Sequence, residues 1–407
     1  MQTKKKVLWF APLPVYPAVD GGKQTIYFPV IELPKYCDAH FAFLHDLDTA
    51  ELTKQTVHFE QHGLHVTPLR LNTRDGILKM LRSILRGQPF KYSKYHSRHV
   101  LQALADLIRR EQFDTIVFST AHLCWYAQQL RPQFPHITMN LRAHTVDYEL
   151  FHQFAMAQRN LLIKLLSLGQ SLLTRYHEPR IWAAMDKVVF ISDADAQLAK
   201  QCRYFDRVNW AVSYDGRSHH RWPVADAARH IIFPGALNTP QNRTSLRDFV
   251  KQYWRPFNQT QSADIVALHI TGNDDAALCE CLEIDKAQLA ALNIRALGFV
   301  DNLAQTIAEH ALVLSPTTMG VGIRVKVVEA MSQGALVVLS PLDYAMCSFF
   351  RDGQNVITYH NYAEFQAKVT EILTNPAKAQ AIRHQAFEDA KTHFNWQNLI
   401  DQILEEK

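Results

Sequence analysis

One segment of the chain combines glycines, cations and a carboxylate at spacings that could bind an anionic ligand. The segment covers residues 311–340, and five of its members carry the relevant chemistry: Gly320, Gly322, Arg324, Lys326 and Glu329. Glycines where a loop enters a helix let the backbone approach a ligand closely, and the start of a helix attracts phosphate. Lys326 and Glu329 share one helix face with Gly322. The lysine could therefore bind a diphosphate and the glutamate a ribose diol, while the alternative is an ordinary Lys–Glu surface pair.

The pattern around these residues predicts one βαβ unit of about 30 residues. An apolar strand is followed by the glycine loop, a helix ended by Gly334 and a second apolar strand. The sequence has no G-x-G-x-x-G after its first strand and no G-x-x-x-x-G-K-[ST] anywhere. Both absences disfavour a hydride-transfer Rossmann enzyme and a P-loop NTPase.

The rest of the 407-residue chain predicts the elements that must position this unit. Short apolar, β-branched runs alternate with longer helical patterns along almost the whole length. Strands buried on both faces and separated by helices indicate parallel sheets in an α/β fold. Two such series, of about 200 residues each, predict two domains. We place an N-terminal Rossmann-like domain at 1–213, a linker at 214–229, a C-terminal domain at 230–385 and a helical tail that packs back on the first domain at 386–407.

The charge is distributed unevenly between the two halves. Residues 1–200 contain 24 Lys+Arg and 17 Asp+Glu, whereas residues 201–407 contain 19 and 22. A basic N-terminal half fits docking on anionic lipid or an acceptor linked to a lipid phosphate. No stretch approaches the ~20 consecutive apolar residues of a membrane span. Six scattered cysteines indicate free thiols in a reducing cytoplasm.

Two helical segments of the basic half have unusual compositions. Residues 76–87 predict an amphipathic basic helix, and residues 161–175 predict a helix that is apolar nearly all round. One interpretation is that both helices pack on the sheet of the first domain. The other is that one of them rests on an anionic membrane surface.

Several other functions find no support in the sequence. No Gly-x-Ser-x-Gly motif is present, so nothing favours a hydrolase triad. Basic residues interleave with aromatic ones only at residues 91–98, a short run that matches no RNA-binding module. Nucleic acid is therefore not an expected partner.

The motifs described above resemble those of glycosyltransferase family 4, the group 1 glycosyltransferases, in the type encoded in polysaccharide loci. The most specific match is residues 322–338, where a Gly, a Lys, Glu-Ala-Met, a second Gly and a hydrophobic strand follow in the order and spacing of the family. Shorter similar stretches occur at residues 14–23, 142–149, 188–193, 233–242, 270–272 and 298–301. The resemblance implies the α/β GT-B fold, with two Rossmann-like domains facing each other across a cleft.

The resemblance also implies roles for the C-terminal donor-binding domain. Glu329 would hydrogen-bond the ribose hydroxyls, and the catalytic cations Arg324 and Lys326 would neutralise the diphosphate as it departs. The remaining donor-binding positions implied here are Gly235, Val300 near the base, Gly320, Val321 and Gly322.

In the N-terminal acceptor-side domain the resemblance implies a smaller set of residues. Gly21 and Gly22 would approach the diphosphate, with Lys23 nearby. His144 would face the donor sugar and orient either the sugar or the acceptor. Asp193 and Asp195 spell the Asp-x-Asp that binds metal in the other major glycosyltransferase fold, but they directly follow a strand and precede a helix. We predict that they cap that helix and that no metal is bound.

Two positions depart from the pattern of the family. Val321 stands where the family often has a glutamate, eight residues before Glu329. Residues 236–242 lack the Arg and Lys that commonly bind phosphate after the strand ending at Gly235. Arg324 and Lys326 are therefore expected to bind the phosphates alone.

Taken together, the resemblance implies a retaining, metal-independent glycosyltransferase without a cofactor. Its donor would be a UDP- or GDP-linked sugar and its acceptor a glycan or a lipid-linked glycan, in cell-surface polysaccharide biosynthesis. We expect a cytoplasmic protein that is peripheral on the inner face of the cell membrane. Two alternatives remain open: a GT-B nucleotide-sugar epimerase or phosphorylase, and a non-catalytic nucleotide-sugar-binding partner, which Val321 favours.

Overall fold

The computed structural model describes residues 4–73, 82–220, 230–260 and 266–404. The first part of the predicted amphipathic helix (76–87) and most of the predicted linker (214–229) lie outside these ranges. The chain divides into two compact units. Residues 1–216 and 396–407 form the N-terminal unit, and residues 217–395 form the C-terminal unit.

The N-terminal unit is built on a sheet of seven parallel strands. Its strands are β1 (Lys6–Ala11), β2 (Asp38–His45), β3 (His65–Arg70), β4 (Thr115–Phe118), β5 (Thr138–Ala143), β6 (Lys187–Phe190) and β7 (Trp210–Val212). The spatial order is β3-β2-β1-β4-β5-β6-β7, and every neighbouring pair is parallel. Strands such as β1 are buried on both faces because separate apolar clusters pack against each side of the sheet.

Helices connect these strands in the manner of an α/β fold. Those described are α1 (Gly21–Glu32), α2 (Thr49–Gln61), α3 (Phe90–Ser93), α4 (Arg98–Glu111), α5 (Cys124–Leu130), α6 (Asp147–Ala157), α7 (Leu161–Trp182) and α8 (Asp193–Lys200). Helices α6 and α7 are consecutive and pack against each other. In the part of the chain that the structure describes, no helix is long and apolar enough to cross a membrane.

The C-terminal unit repeats this architecture with six parallel strands. They are β8 (Ile231–Phe233), β9 (Leu268–Thr271), β10 (Ile294–Gly298), β11 (Leu312–Ser315), β12 (Val337–Leu339) and β13 (Ile357–Thr358), in the order β10-β9-β8-β11-β12-β13. The strand order reverses between β8 and β11, so the carboxyl ends of these two strands border a topological switch point. Ligands of open α/β sheets bind at such points.

The helices of the C-terminal unit alternate with its strands. Those described are α9 (Pro240–Phe249), α10 (Arg255–Thr260), α11 (Asp275–Leu282), α12 (Lys286–Ala291), α13 (Leu303–Ala308), α14 (Val325–Ser332), α15 (Pro341–Tyr344), α16 (Tyr362–Thr374) and α17 (Pro376–His393). A π-helical turn, Val250–Trp254, joins α9 to α10. Two parallel sheets with interleaved helices confirm the α/β class that the sequence predicts.

A last helix, α18 (Trp396–Leu404), belongs to the N-terminal unit. Its buried Leu399, Ile400 and Ile403 pack with residues of β1 and β2 in one apolar cluster, and Asn140 Nδ2 donates a hydrogen bond to the Ile403 carbonyl at 2.6 Å. The returning segment is shorter than the predicted tail (386–407). The reason is that α17 runs unbroken to His393 and packs on α14 in the C-terminal unit.

The start of the predicted linker is part of the folded structure. Tyr214, Asp215 and Arg217 are all at least 90% buried. Asp215 pairs with the fully buried Arg142, and the Tyr214 hydroxyl donates a hydrogen bond to Asp193. These polar residues look like a solvated linker in the sequence because their partners lie far away along the chain.

Candidate functional site

The glycine loop lies between β11 and α14, as the βαβ pattern predicts. Gly320 has φ +115° and Gly322 has φ +78°, values that only glycine adopts without strain. A side chain at Gly320 would also collide with Arg324, because its Cβ would lie 2.8 Å from Nη2. The loop backbone therefore packs directly against the guanidinium group.

Arg324 is the N-cap residue of α14, and its guanidinium group is held from one side. Nε donates a hydrogen bond to Asp343 Oδ1 at 3.1 Å, and Nη1 lies 3.5 Å from the Val321 carbonyl oxygen. Nη2 is buried and has no hydrogen-bond partner among the residues described. A buried N–H group left unpaired is costly, so this one is suited to an anionic ligand.

Asp343 fixes the position of Arg324 through this hydrogen bond to Nε. Its side chain is 1% exposed, and its second oxygen accepts a hydrogen bond from Ser315 Oγ at 2.6 Å. Ser315 is the last residue of β11, and Asp343 lies in α15 directly after β12. Asp343 thus connects the ends of two neighbouring strands to the arginine.

Lys326 lies two residues after Arg324, in the first turn of α14. Its Nζ is 3.9 Å from the centroid of the Phe233 ring, and it forms no ion pair with any residue of the described ranges. Burial, opposed by Asp343 and aided by Arg324, lowers the pKa of Lys326 to about 8. The ammonium group has no anionic partner in the described chain, so an anionic ligand could pair with it.

Gly235 brings the end of β8 next to this lysine. A Cβ at Gly235 would lie 3.6 Å from Lys326 Nζ. The Gly235 amide donates to Thr271 Oγ1 at 3.1 Å, and its carbonyl accepts from Asn273 Nδ2 at 3.1 Å. Polar side chains at the end of β9 therefore hold this loop, which lacks the Arg and Lys common in the family.

Glu329 lies on the next turn of α14, where it meets a residue that the sequence did not single out. Its Oε2 is 3.4 Å from Arg217 Nε, and the two side chains are 26% and 4% exposed. Lys326 instead contacts Phe233, so the Lys–Glu surface pair allowed by the helical spacing is not formed. The carboxylate keeps a partly open face towards solvent.

Val300 lies apart from these residues along the sheet. It follows β10, the edge strand, and is half-buried next to Phe299, which is 85% exposed. Gly298 closes the strand with φ +65°. Val300 therefore lies at a carboxyl strand end, and its position near a base stays a prediction.

In the N-terminal unit, Gly21, Gly22 and Lys23 form the first turn of α1. Asp20 caps this helix, and its Oδ1 accepts a hydrogen bond from the Lys23 amide at 2.9 Å. A carboxylate therefore already occupies part of the helix start that was expected to approach a diphosphate. In the sequence Asp20 is an ordinary N-cap signal, which does not reveal its effect on anion binding.

His144 contacts the same helix through Thr25. The Thr25 hydroxyl donates to the Gly22 carbonyl at 2.9 Å and lies 3.4 Å from His144 Nδ1. Since that hydroxyl proton is already used, Nδ1 carries the ring proton and donates, which leaves a lone pair on Nε2. Burial lowers the pKa of His144 to about 3, so the ring is neutral. Its Nε2 is buried without a hydrogen-bond partner in the described chain. This nitrogen can accept a hydrogen bond from a hydroxyl group of a ligand.

The Asp-x-Asp segment supplies acids to the first turn of a helix, as predicted, whereas the N-cap position falls on the preceding serine. Ser192 is the N-cap of α8 and accepts from the Asp195 amide at 3.1 Å, with both aspartates in the first turn. Within the described ranges, no three His, Cys, Asp or Glu side chains are arranged to hold a metal ion.

Two further residues of the site, Asp343 and Arg217, were missed by sequence reasoning. Asp343 had a local signal, because Ser340 and Asp343 have the spacing of a helix N-cap, although that pattern does not reveal a contact with Arg324. Arg217 had none, since it lies in a polar stretch without periodicity.

Comparisons with known proteins support the assignment from the resemblance. Residues 252–405 match the family model described as glycosyl transferase-like. No curated protein sequence matches the chain significantly. Solved structures with the same fold include three proteins: Anabaena HepE in complex with UDP (TM-score 0.68, 15% identity, 98% of each chain), the lipopolysaccharide outer core galactosyltransferase WaaB (0.62, 14%, 98% of this chain and 99% of that one) and sucrose-phosphate synthase from Thermosynechococcus elongatus (0.64, 14%, 97% and 96%).

The family match lies in the C-terminal part of the chain, and the similarity of fold extends over nearly all of it. Two Rossmann-like units, with the glycine loop and its cations at a switch point, agree with both findings. The predicted GT-B fold is therefore confirmed, and the match of residues 252–405 agrees with the resemblance to the group 1 glycosyltransferases.

Proposed function

We propose that this protein is a glycosyltransferase that moves a sugar from a UDP- or GDP-linked donor to a glycan or lipid-linked acceptor, with retention at the anomeric carbon and without a metal ion. The observation that carries the proposal is the pair of cations at the switch point. Arg324 Nη2 and Lys326 Nζ both lack an anionic partner within the described ranges. A diphosphate would supply the missing charge. HepE, which shares the fold, has been solved with UDP and with UDP-glucose, so UDP is the first nucleotide to test.

The chemistry follows from where negative charge develops. When the bond between the anomeric carbon and the phosphate oxygen breaks, its electron pair passes to the diphosphate, and Arg324 and Lys326 stabilise that charge. The acceptor hydroxyl forms the new bond on the same face of the sugar and gives its proton to the departing phosphate oxygen. No side chain then needs to act as a strong base. The neutral ring of His144 accepts a hydrogen bond from a hydroxyl group and orients it.

The loop backbone takes the place of the missing glutamate in this proposal. Val321 offers no polar side chain, so the polar groups of residues 320–322 are those of the backbone alone. Sugar hydroxyls would be held by these peptide groups. Glu329 would bind the ribose through its partly open carboxylate.

Transfer is favoured over epimerisation by the composition of the same loop. Residues 316–324 contain no Asp, Glu or His. An epimerase needs acid and base side chains around the sugar, whereas a transferase needs cations at the leaving group. Incubation with the donor alone separates the two reactions, since an epimerase converts the sugar without an acceptor.

Two variants test the donor site. Lys326→Met and Glu329→Gln should each abolish the rise in melting temperature that UDP or GDP produces in the wild type, because bound ligand stabilises the native state. Turnover should fall by about 10²–10³, the usual cost of losing one charge-stabilising group. Lys286→Met, which removes an exposed lysine of the same unit, is the matched control. Full binding and turnover in both site variants would refute the assignment.

The proposal also covers the location of the protein in the cell. A glycan or lipid-linked acceptor in cell-surface polysaccharide biosynthesis would be met on the inner face of the cell membrane by a cytoplasmic, peripheral protein. The basic balance of residues 1–200 supports this location, because the cytoplasmic leaflet is anionic.

A further inference from the structure

Helix α7 presents seven of its apolar side chains to solvent. Its exposed residues are Leu161, Leu162, Ile163, Leu165, Leu166, Leu172 and Tyr176. Leu161 is 69% exposed and Leu172 is 68% exposed. Single exposed leucines are ordinary on protein surfaces, but a contiguous group marks an interaction site.

Polar side chains on the opposite face of α7 are buried and fix the orientation of the helix, so the leucines stay exposed. Ser171, Thr174 and Glu178, at spacings of three and four, are buried. Glu178 accepts hydrogen bonds from the Asp147 and Tyr148 amides at 3.0 and 3.1 Å.

A further bond fixes the same orientation, since Ser171 Oγ donates to the Tyr148 carbonyl at 2.8 Å. Rotation of the helix would break these buried bonds, at a cost of about 1–3 kcal/mol for each group left unpaired. The fold therefore holds the leucines outside.

Neighbouring elements extend the apolar area. Helix α6 adds Phe154 and Met156, which are 47% and 54% exposed. Leu85 is 88% exposed. The Gly87 carbonyl lies 2.8 Å from His177 Nε2, which places that stretch beside α7. We call the exposed apolar residues of α6 and α7, together with Leu85, the docking surface.

Cations predominate around the docking surface, although α6 also contains the half-buried Glu149. Residues 150–177 contain Arg159, Lys164 and Arg175 but no Asp or Glu. Arg82 and Arg86, on either side of Leu85, are also exposed. An apolar helix face with flanking cations has the composition of helices that lie in the interface of an anionic bilayer.

We propose that the docking surface binds an anionic lipid bilayer, with the leucines inserted at the level of the headgroups and the cations paired with lipid phosphates. A second copy of the chain is a poorer occupant, because a symmetric contact would bring the same cations together. The inference deepens the proposed peripheral location and rests on it, but it does not require the donor site.

Flotation with vesicles of phosphatidylcholine, with or without one quarter phosphatidylglycerol, tests the proposal on the full chain. The wild type should bind the anionic vesicles and be released by raised salt. Replacing Leu161, Leu165 and Leu172 together by Gln should weaken binding at least tenfold. Gln suits an exposed helix position, so the variant should remain folded. Val57→Gln, at an exposed apolar site on α2, is the matched control and should bind like the wild type.

The cations are tested by a second variant. Replacing Arg159 and Lys164 by Gln should remove the preference for anionic over neutral vesicles. Nucleotide binding and turnover of a water-soluble acceptor should stay unchanged in every docking-surface variant, so failure of docking is distinguishable from failure of the proposed reaction. Equal vesicle binding by the wild type and the leucine variant would overturn the proposal. So would a wild-type dimer in light scattering that the leucine variant dissociates.

Discussion

At the scale of single residues, the proposed donor site predicts that Lys326 makes nucleotide binding depend on pH. Because burial lowers its pKa to about 8, the free protein loses this charge as the pH rises above 8. A bound diphosphate favours the charged form and raises the pKa again. Affinity for UDP should therefore fall between pH 8 and 9.5, by up to about tenfold per unit for one proton. Calorimetric titration across this range measures the effect.

Two variants isolate the contribution of the lysine. Lys326→Arg retains its charge and should bind UDP with little pH dependence over the same range. Lys326→Met should bind weakly at every pH. A wild-type slope that persists in Lys326→Met would assign the titration to another group.

Asp343 provides a second prediction at this scale. Asp343→Asn removes the charge that pairs with Arg324, so it should lower the free energy of unfolding by roughly 3 kcal/mol, the low end for a broken buried pair. It should also raise the KM for the donor, since Arg324 loses its fixed position.

The control for this prediction is Asp352→Asn in the same unit. Asp352 pairs with Lys368 and is 34% exposed, so its loss should cost less than about 1 kcal/mol. Urea unfolding measures both variants. Equal small losses would show that Asp343 does not hold the arginine.

How far the sequence predicts the site depends on where each contact originates. Lys326 and Glu329 lie three residues apart on α14, so local spacing was sufficient to predict that they share a helix. The prediction that Gly322 shares their face was wrong, because Gly322 lies in the loop before the helix, at φ +78°. The contacts of Asp343 and Arg217 join residues that are 19 and 112 positions from their partners. Such contacts arise only when the sheet is assembled, and no local pattern encodes them.

At the scale of elements, the strands of the C-terminal unit hold a histidine cluster that predicts acid sensitivity. His269 Nδ1 in β9 lies 2.7 Å from His310 Nε2, and the rings of His230 and His269 are 4.8 Å apart. Burial lowers the pKa of His269 to about 4, and also lowers those of His230 and His310. The fold therefore keeps these rings neutral.

The unfolded chain binds protons at its histidines below pH ~6.5, whereas the folded His269 does so only near pH 4. The free energy of unfolding should have its full value above pH 6.5 and fall by about 1–3 kcal/mol as the pH drops towards 4. His269→Gln should flatten this dependence in urea unfolding. His384→Gln, at an exposed site in the same unit, should not. Identical slopes in wild type and His269→Gln would exclude the cluster as the cause.

The elements themselves were largely predictable, and their exceptions have physical reasons. Apolar runs buried on both faces identified the strands of both sheets, because parallel sheets require such runs. Helix α7 was ambiguous, since a helix that is apolar nearly all round has no periodicity to indicate its buried face. Its polar contacts through Ser171 and Glu178 determined that face.

At the scale of the whole molecule, the C-terminal unit is one continuous stretch, whereas the N-terminal unit is assembled from two. Residues 217–395, expressed alone, should fold and retain nucleotide binding, because they contain a complete sheet with its own apolar core. Residues 1–216 alone should be unstable, because β1 and β2 lose the apolar cover of α18. Circular dichroism melting and UDP titration measure both fragments.

The complementary experiment adds the missing helix. A peptide of residues 396–407 should stabilise the 1–216 fragment, and the same peptide with Leu399→Ala should do so much less, since Leu399 is fully buried. A 1–216 fragment that is already as stable as the intact chain would show that α18 is dispensable.

The return of α18 to the first sheet also sets an order of events during protein synthesis. The ribosome completes all of residues 217–395 before it makes the helix that covers one side of β1 and β2. At ordinary translation rates, on the order of ten seconds or more passes with those apolar strands incompletely covered. The second unit can reach its native state first, while the first remains a client for chaperones that shield exposed apolar surface.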